Sequence, residues 1–148
     1  MCLDTSVFIK YLVPDEQDEA ASSLVLASLK GGWRMLAPSW VWEEVGSVLR
    51  KKIRMGLLEP EEADQLWRGF LALPLTILEE RDIAQKGWEL ARMFRLPTLY
   101  EAAFLACVET ATNGEGGGEF WTADELLIRQ LGSARPAYVR LLGELSGR

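Results

Sequence analysis

The chain opens Met1-Cys2-Leu3-Asp4-Thr5-Ser6-Val7-Phe8-Ile9-Lys10-Tyr11-Leu12, and the reading of this stretch decides the fold. Three residues of short apolar strand run into Asp4. Val7, Phe8, Tyr11 and Leu12 then recur at helical spacing, so Asp4 falls on a strand-to-helix corner. In an open α/β sheet that corner is the functional edge, because ligands bind outside the carboxyl ends of the strands. An aspartate there also has a plain use, capping the helix behind it by accepting hydrogen bonds from free amide groups. Other acids arriving at the same edge separate the two readings.

Downstream, Pro14 with Asp15 and Glu16 suits a helix start, and a helix carrying Ala20, Leu24, Ala27 and Leu29 ends at Gly31-Gly32. Met35-Leu36-Ala37, bounded by Pro38 and Ser39, reads as a second strand, and Trp40 to Met55 as a helix ending at Gly56. Glu59 to Glu62 begin another helix through Leu71, and Leu75-Thr76-Ile77-Leu78 is a third strand. Two helices follow, Asp82 to Arg95 and Thr98 to Thr112. The glycine-rich Asn113 to Gly118 lacks any phosphate-loop pattern and reads as a connection. Phe120-Trp121-Thr122 is a strand, Leu126 to Leu131 a short helix, and Tyr138 to Leu142 a last strand or helix. Strands alternating with helices predict a parallel sheet of about four or five strands covered on both faces, a three-layer α/β/α fold forming one domain over 1–148.

With 148 residues and 49% hydrophobic content, the chain is long enough to bury a core without metal or disulfide staples. The apolar runs are short and the amino terminus has no basic region before a long apolar stretch, so neither a membrane span nor a signal peptide is expected, and the protein is expected in the cytoplasm. Cys2 and Cys107 read as two small buried hydrophobes, in keeping with a reducing compartment. The absence of His excludes the usual general base and imidazole ligands, leaving carboxylates, hydroxyls or metals for any catalysis. At a net charge of −6, a nucleic-acid partner has to be met by a local basic surface or by a cation held on the acids. The one dense basic run is Arg50, Lys51, Lys52 and Arg54, which also complements the dipole at a helix end.

In the helix after Pro38, Val41, Val45, Val48 and Leu49 define the buried stripe. Glu44 lies at its margin and Glu43 points away, which favours Glu44 as a functional acid. Thr98 with Glu101 fits a capping box at the start of a later helix, whose Ala102, Ala103 and Ala106 allow close approach to a neighbouring backbone. Asp124 mirrors Asp4 by following the strand Phe120-Trp121-Thr122, again with a capping-box pattern in Thr122 and Glu125. Two strand-end acids and two helix-borne acids make sense as one oxygen cage for hard cations.

At these residues the sequence resembles the PIN-domain nucleases, and within them the VapC-type toxins of toxin–antitoxin pairs. The resemblance spans nearly the whole chain and rests on LDTS with Asp4, APSWVWEEVGSVLRK with Glu44, LPTLYEAAFLA with Glu101, and FWTADELL with Asp124. It implies a three-layer domain with its acids at one edge, usually dimeric, cutting RNA with Mg²⁺ or Mn²⁺. Ser6 and Thr122 match positions where such proteins often place a hydroxyl near the metal. One departure stands out: the family usually has Asp where this chain has Glu101. On this reading Asp4 and Asp124 hold the principal metal, Glu44 ligates or orients the attacking water, and Glu101 completes a second or outer position.

Two rivals are weighed against it. One is a PIN-like module that binds RNA or protein without cutting. The other is a phosphotransfer domain using Asp4 as nucleophile, but the dehalogenase pattern needs a second Asp two positions on, where Ser6 stands. Trp40 and Trp42 flank the stripe of their helix and suit a dimer or partner surface. A small antitoxin is expected to cover the acidic cleft with an Arg, whose fork suits carboxylates.

Overall fold

The computed structural model describes residues 1–147. Five strands, β1 (Cys2–Leu3), β2 (Met35–Pro38), β3 (Leu75–Leu78), β4 (Phe120–Thr122) and β5 (Val139–Leu141), form one sheet in the order β3-β2-β1-β4-β5. Every pairing is parallel. The last segment is therefore a strand, the first of the two forms its sequence allowed. The chain starts in the middle, winds outward through β2 and β3, then returns to the other side of β1 with β4. The order reverses between β1 and β4, and that switch point opens a crevice at the carboxyl ends of these two strands.

Seven α-helices cover the sheet: α1 (Thr5–Leu12), α2 (Glu19–Gly31), α3 (Val41–Arg54), α4 (Pro60–Leu71), α5 (Glu80–Phe94), α6 (Leu99–Thr112) and α7 (Glu125–Leu131). α1 packs with α2, α3 and α4, whereas α6 packs with α5 and against β1, β2 and β4, giving the three-layer α/β/α architecture. Because helices lie on both faces, the inner strands are apolar throughout: β1, β2 and β4 are buried at every residue, with Trp121 and Phe120 among the largest enclosed side chains. β3 is an edge strand and leaves Ile77 exposed.

Local details correct the sequence reading in places. Pro14–Glu16 is a separate 3₁₀ turn, and α2 begins later because Asp18 caps it, its carboxylate accepting from the Ala20 amide at 2.8 Å. The acids at 15 and 16 serve another purpose: both reach the ammonium of Lys52 on α3, at 2.9 and 2.6 Å. In the glycine-rich connection, Gly118 has no room for a side chain. A Cβ on Gly118 would stand 2.7 Å from Val108 Cγ1 and 2.9 Å from Thr112 Cγ2. On the same layer, α5 and α6 approach closely through small residues, with a Cβ on Gly87 falling 3.9 Å from the Ala103 amide nitrogen.

Candidate active site

Asp4 is held where β1 gives way to α1. Its amide donates to the Trp121 carbonyl at 2.9 Å, continuing the β1–β4 ladder by one residue and setting Asp4 beside Thr122. The carboxylate does not cap α1. Instead Oδ2 accepts hydrogen bonds from the hydroxyls of Ser6, at 2.7 Å, and Thr122, at 2.6 Å. Both hydroxyls also tie down the β4–α7 corner: the Ser6 oxygen accepts from the Ala123 amide at 3.0 Å, and the Thr122 oxygen from the Asp124 amide at 2.9 Å. The two strand ends are thus laced into one rigid unit.

Asp124 does act as a cap. Its Oδ1 accepts from the amides of Leu126 and Leu127, at 2.7 and 3.3 Å, so the capping-box pattern of Thr122 and Glu125 is not the cap of α7. Glu44 is half-buried on the first turn of α3 and accepts from the hydroxyl of Thr5, while the adjacent Glu43 is exposed. Thr5, itself 9% exposed, was not among the residues singled out from sequence. Its signal there was a hydroxyl directly after the corner acid, at the start of an apolar helix. Glu101 accepts from the Thr98 hydroxyl on α6; the capping-box bonds do not form, and Thr98 makes no side-chain cap.

Asp4, Glu44, Glu101 and Asp124 all line one small cavity of about 80 Å³ at the carboxyl edge of the sheet. The rest of its wall is Tyr100, Phe104, Phe120 and Leu127, so among the described residues no cationic side chain faces the four carboxylates. An aromatic stack backs it: Trp40 meets Tyr100 and Phe104 edge-on at 5.3 and 5.2 Å, and Phe104 stacks on Phe120 at 5.8 Å. Tyr100 was also not singled out from sequence; its neighbour Glu101 drew the attention.

The electrostatics follow. Burial pushes the Asp4 carboxyl above its usual range against the hydrogen bonds of Thr122 and Ser6, and the charge of Asp124 pushes the same way. Burial likewise raises Glu44, opposed by Thr5 and reinforced by Asp4 and Glu101. Among the described residues no three acids are already drawn together closely enough to enclose a cation. Like charges explain the spacing, since each carboxylate turns an oxygen to a hydroxyl or amide rather than to another acid. The donor set is nonetheless chemically suited to a hard divalent ion, being all oxygen, anionic and without a competing cation.

No family model matches the sequence, and no curated protein matches it. The three-layer architecture with its central parallel sheet is in keeping with the PIN superfamily fold in general. Among the described residues, no helix is long and apolar enough to cross a membrane.

Proposed function

We propose that residues 1–148 act as a single PIN-like domain, a Mg²⁺- or Mn²⁺-dependent endoribonuclease serving as the toxin of a toxin–antitoxin pair. The observation that carries this reading is the convergence of four carboxylates from the β1–α1 corner, α3, α6 and the β4–α7 corner on one cavity, with no counter-cation among the described residues. Asp4 and Asp124 would hold the principal cation, with Glu101 at a second or outer position. When bound, the cation supplies Lewis acidity and offsets charge on the phosphodiester.

The chain's own residues supply orientation and proton transfer. Ser6 and Thr122 both donate to Oδ2 of Asp4, which steadies its carboxylate in the cavity wall. Glu44, steadied by Thr5 and raised by burial and its acidic neighbours, is suited to orient an attacking water and accept its proton. In-line displacement then cuts the RNA chain. A small antitoxin carrying an Arg is the expected inhibitor, its guanidinium meeting the carboxylates bidentately. A homodimer is the other expected association.

A second reading, a PIN-like module that binds without cutting, draws support from the absence of a close three-acid group among the described residues. Incubating the purified protein with a panel of RNAs in Mg²⁺, in Mn²⁺ and in chelator separates the two. Cleavage that needs the metal is expected; intact RNA throughout, with binding retained, would favour the module.

A further inference from the structure

A second concavity lies beside the acidic cavity, between α3 and α4. It is a groove of about 860 Å³ whose head is Trp42 and Glu43, in the same helical turn that sends Glu44 to the cavity. From there it follows α3 through Arg50, Lys51 and Ile53 to Arg54. At 1.5 Å per residue this is a path of roughly 18 Å from Trp42 to Arg54. Its floor is Gly46, where a Cβ would come within 3.4 Å of the Trp67 ring, so the glycine lets that indole settle against α3.

Three features of the groove point one way. Arg50, Lys51 and Arg54 are exposed and, among the described residues, none pairs with a carboxylate, whereas the neighbouring Lys52 turns inward to Asp15 and Glu16. Trp42 is 51% exposed, an exposure comparable to that of Trp33 and Trp88, but Trp42 alone of the three lines this groove. And the head of the groove, Trp42 and Glu43, lies in the same turn of α3 as Glu44, which lines the cavity. Glu43 and Asp64 also line it, so the cations outnumber the acids three to two on a chain whose net charge is −6. Cations tracking a backbone beside an aromatic face are what single strands use. An apolar protein helix would fill the floor as well, but would leave Arg50, Lys51 and Arg54 without partners.

We propose that the α3–α4 groove is a track for single-stranded RNA, with a base stacked on Trp42 and phosphates on Arg50 and Arg54, leading the strand into the acidic cavity. This rests on the nuclease reading for its substrate, yet it can be measured without cleavage. The full chain is mixed with fluorescein-labelled 12-mers of uridylate and adenylate in EDTA across a salt series. Trp42→Ala should weaken binding about tenfold. Arg50→Ala/Arg54→Ala should flatten the slope of log affinity against log salt by about 1.4, and Arg50→Lys/Arg54→Lys should restore it. Melting curves on each variant confirm folding.

The track is overturned if the wild type binds neither oligomer, or if the groove variants bind with wild-type affinity and salt slope. It is equally overturned if those variants leave RNA binding intact but abolish self-association in sedimentation, which would give the groove to a second copy of the chain. Groove-dependent binding by a protein that cuts nothing in Mg²⁺ or Mn²⁺ would sink the nuclease reading and leave the track standing.

Discussion

Asp4 and Asp124 occupy matching corners but are used differently by the fold, and this sets what their substitution should do. Asp4 accepts chiefly from the hydroxyls of Ser6 and Thr122, so Asp4→Asn removes charge from the cavity and little from the framework. Asp124 caps α7, a job that asparagine also performs well. Both variants should lose cleavage by orders of magnitude while melting within a few degrees of wild type; RNA cut at wild-type rate by both in Mg²⁺ would remove the assignment. Thr5 acts through Glu44. Thr5→Val should lower kcat by less than Glu44→Gln does, with KM little changed, as measured in steady-state assays.

Glu101 is the residue at which sequence left two roles open, and the geometry narrows them. A cap would bond the Thr98 amide; the observed partner is the Thr98 hydroxyl instead. Glu101→Gln should therefore leave the melting temperature nearly unchanged and lose most cleavage, whereas a stability loss of about 1 kcal/mol with normal cleavage would return it to capping. The capping-box patterns misled for one physical reason. At both positions the threonine hydroxyl donates a charge-assisted bond to a carboxylate, the helix-borne Glu101 for Thr98 and the strand-end Asp4 for Thr122, and does not accept from the amide three residues on.

Among the elements, strand positions were the most legible part of the chain, because Met35-Leu36-Ala37 and Phe120-Trp121-Thr122 are short apolar runs with sharp boundaries. Helix starts were less so. Asp15 and Glu16 look like first-turn acids, yet they are spent on Lys52, a long-range pairing that no local pattern encodes. Burial alone would lower the Lys52 ammonium, but the hydrogen bonds it donates to Glu16 and Asp15 outweigh it and the group is raised. The sign of the linkage follows: a raised lysine contributes stability that is full below its ordinary value of 10.5 and is lost as pH climbs through the higher folded value. Thermal melts from pH 8 to 11.5 should show wild type converging on Lys52→Met at the alkaline end, with a gap of about 1 to 3 kcal/mol near neutrality. A gap constant with pH would contradict the pairing. Gly118→Ala, by contrast, should cost about 1 to 3 kcal/mol at every pH, since its methyl meets Val108 and Thr112.

At the scale of the molecule, the strand order explains why residues more than a hundred positions apart share one cavity. β1 and β4 are neighbours in the sheet, so the corners that follow them open into the same crevice, and α3 and α6 start beside it. The alternation of strands and helices made this edge legible in advance. It did not disclose the α3–α4 groove, because the pairing of two helix faces depends on how Gly46 admits Trp67, and a single glycine within a helical pattern carries no such message.

The most direct measurement of the cavity's chemistry is a melting titration with Mn²⁺, which needs no knowledge of the RNA. A cation that binds only the folded protein raises stability by about 2.7 kcal/mol at a hundredfold excess over its dissociation constant. The wild type should melt progressively higher as Mn²⁺ is added, and Asp4→Asn should blunt most of that rise. A wild-type melting temperature that stays flat across the titration, or rises equally in Asp4→Asn, would contradict a metal site built on these four carboxylates.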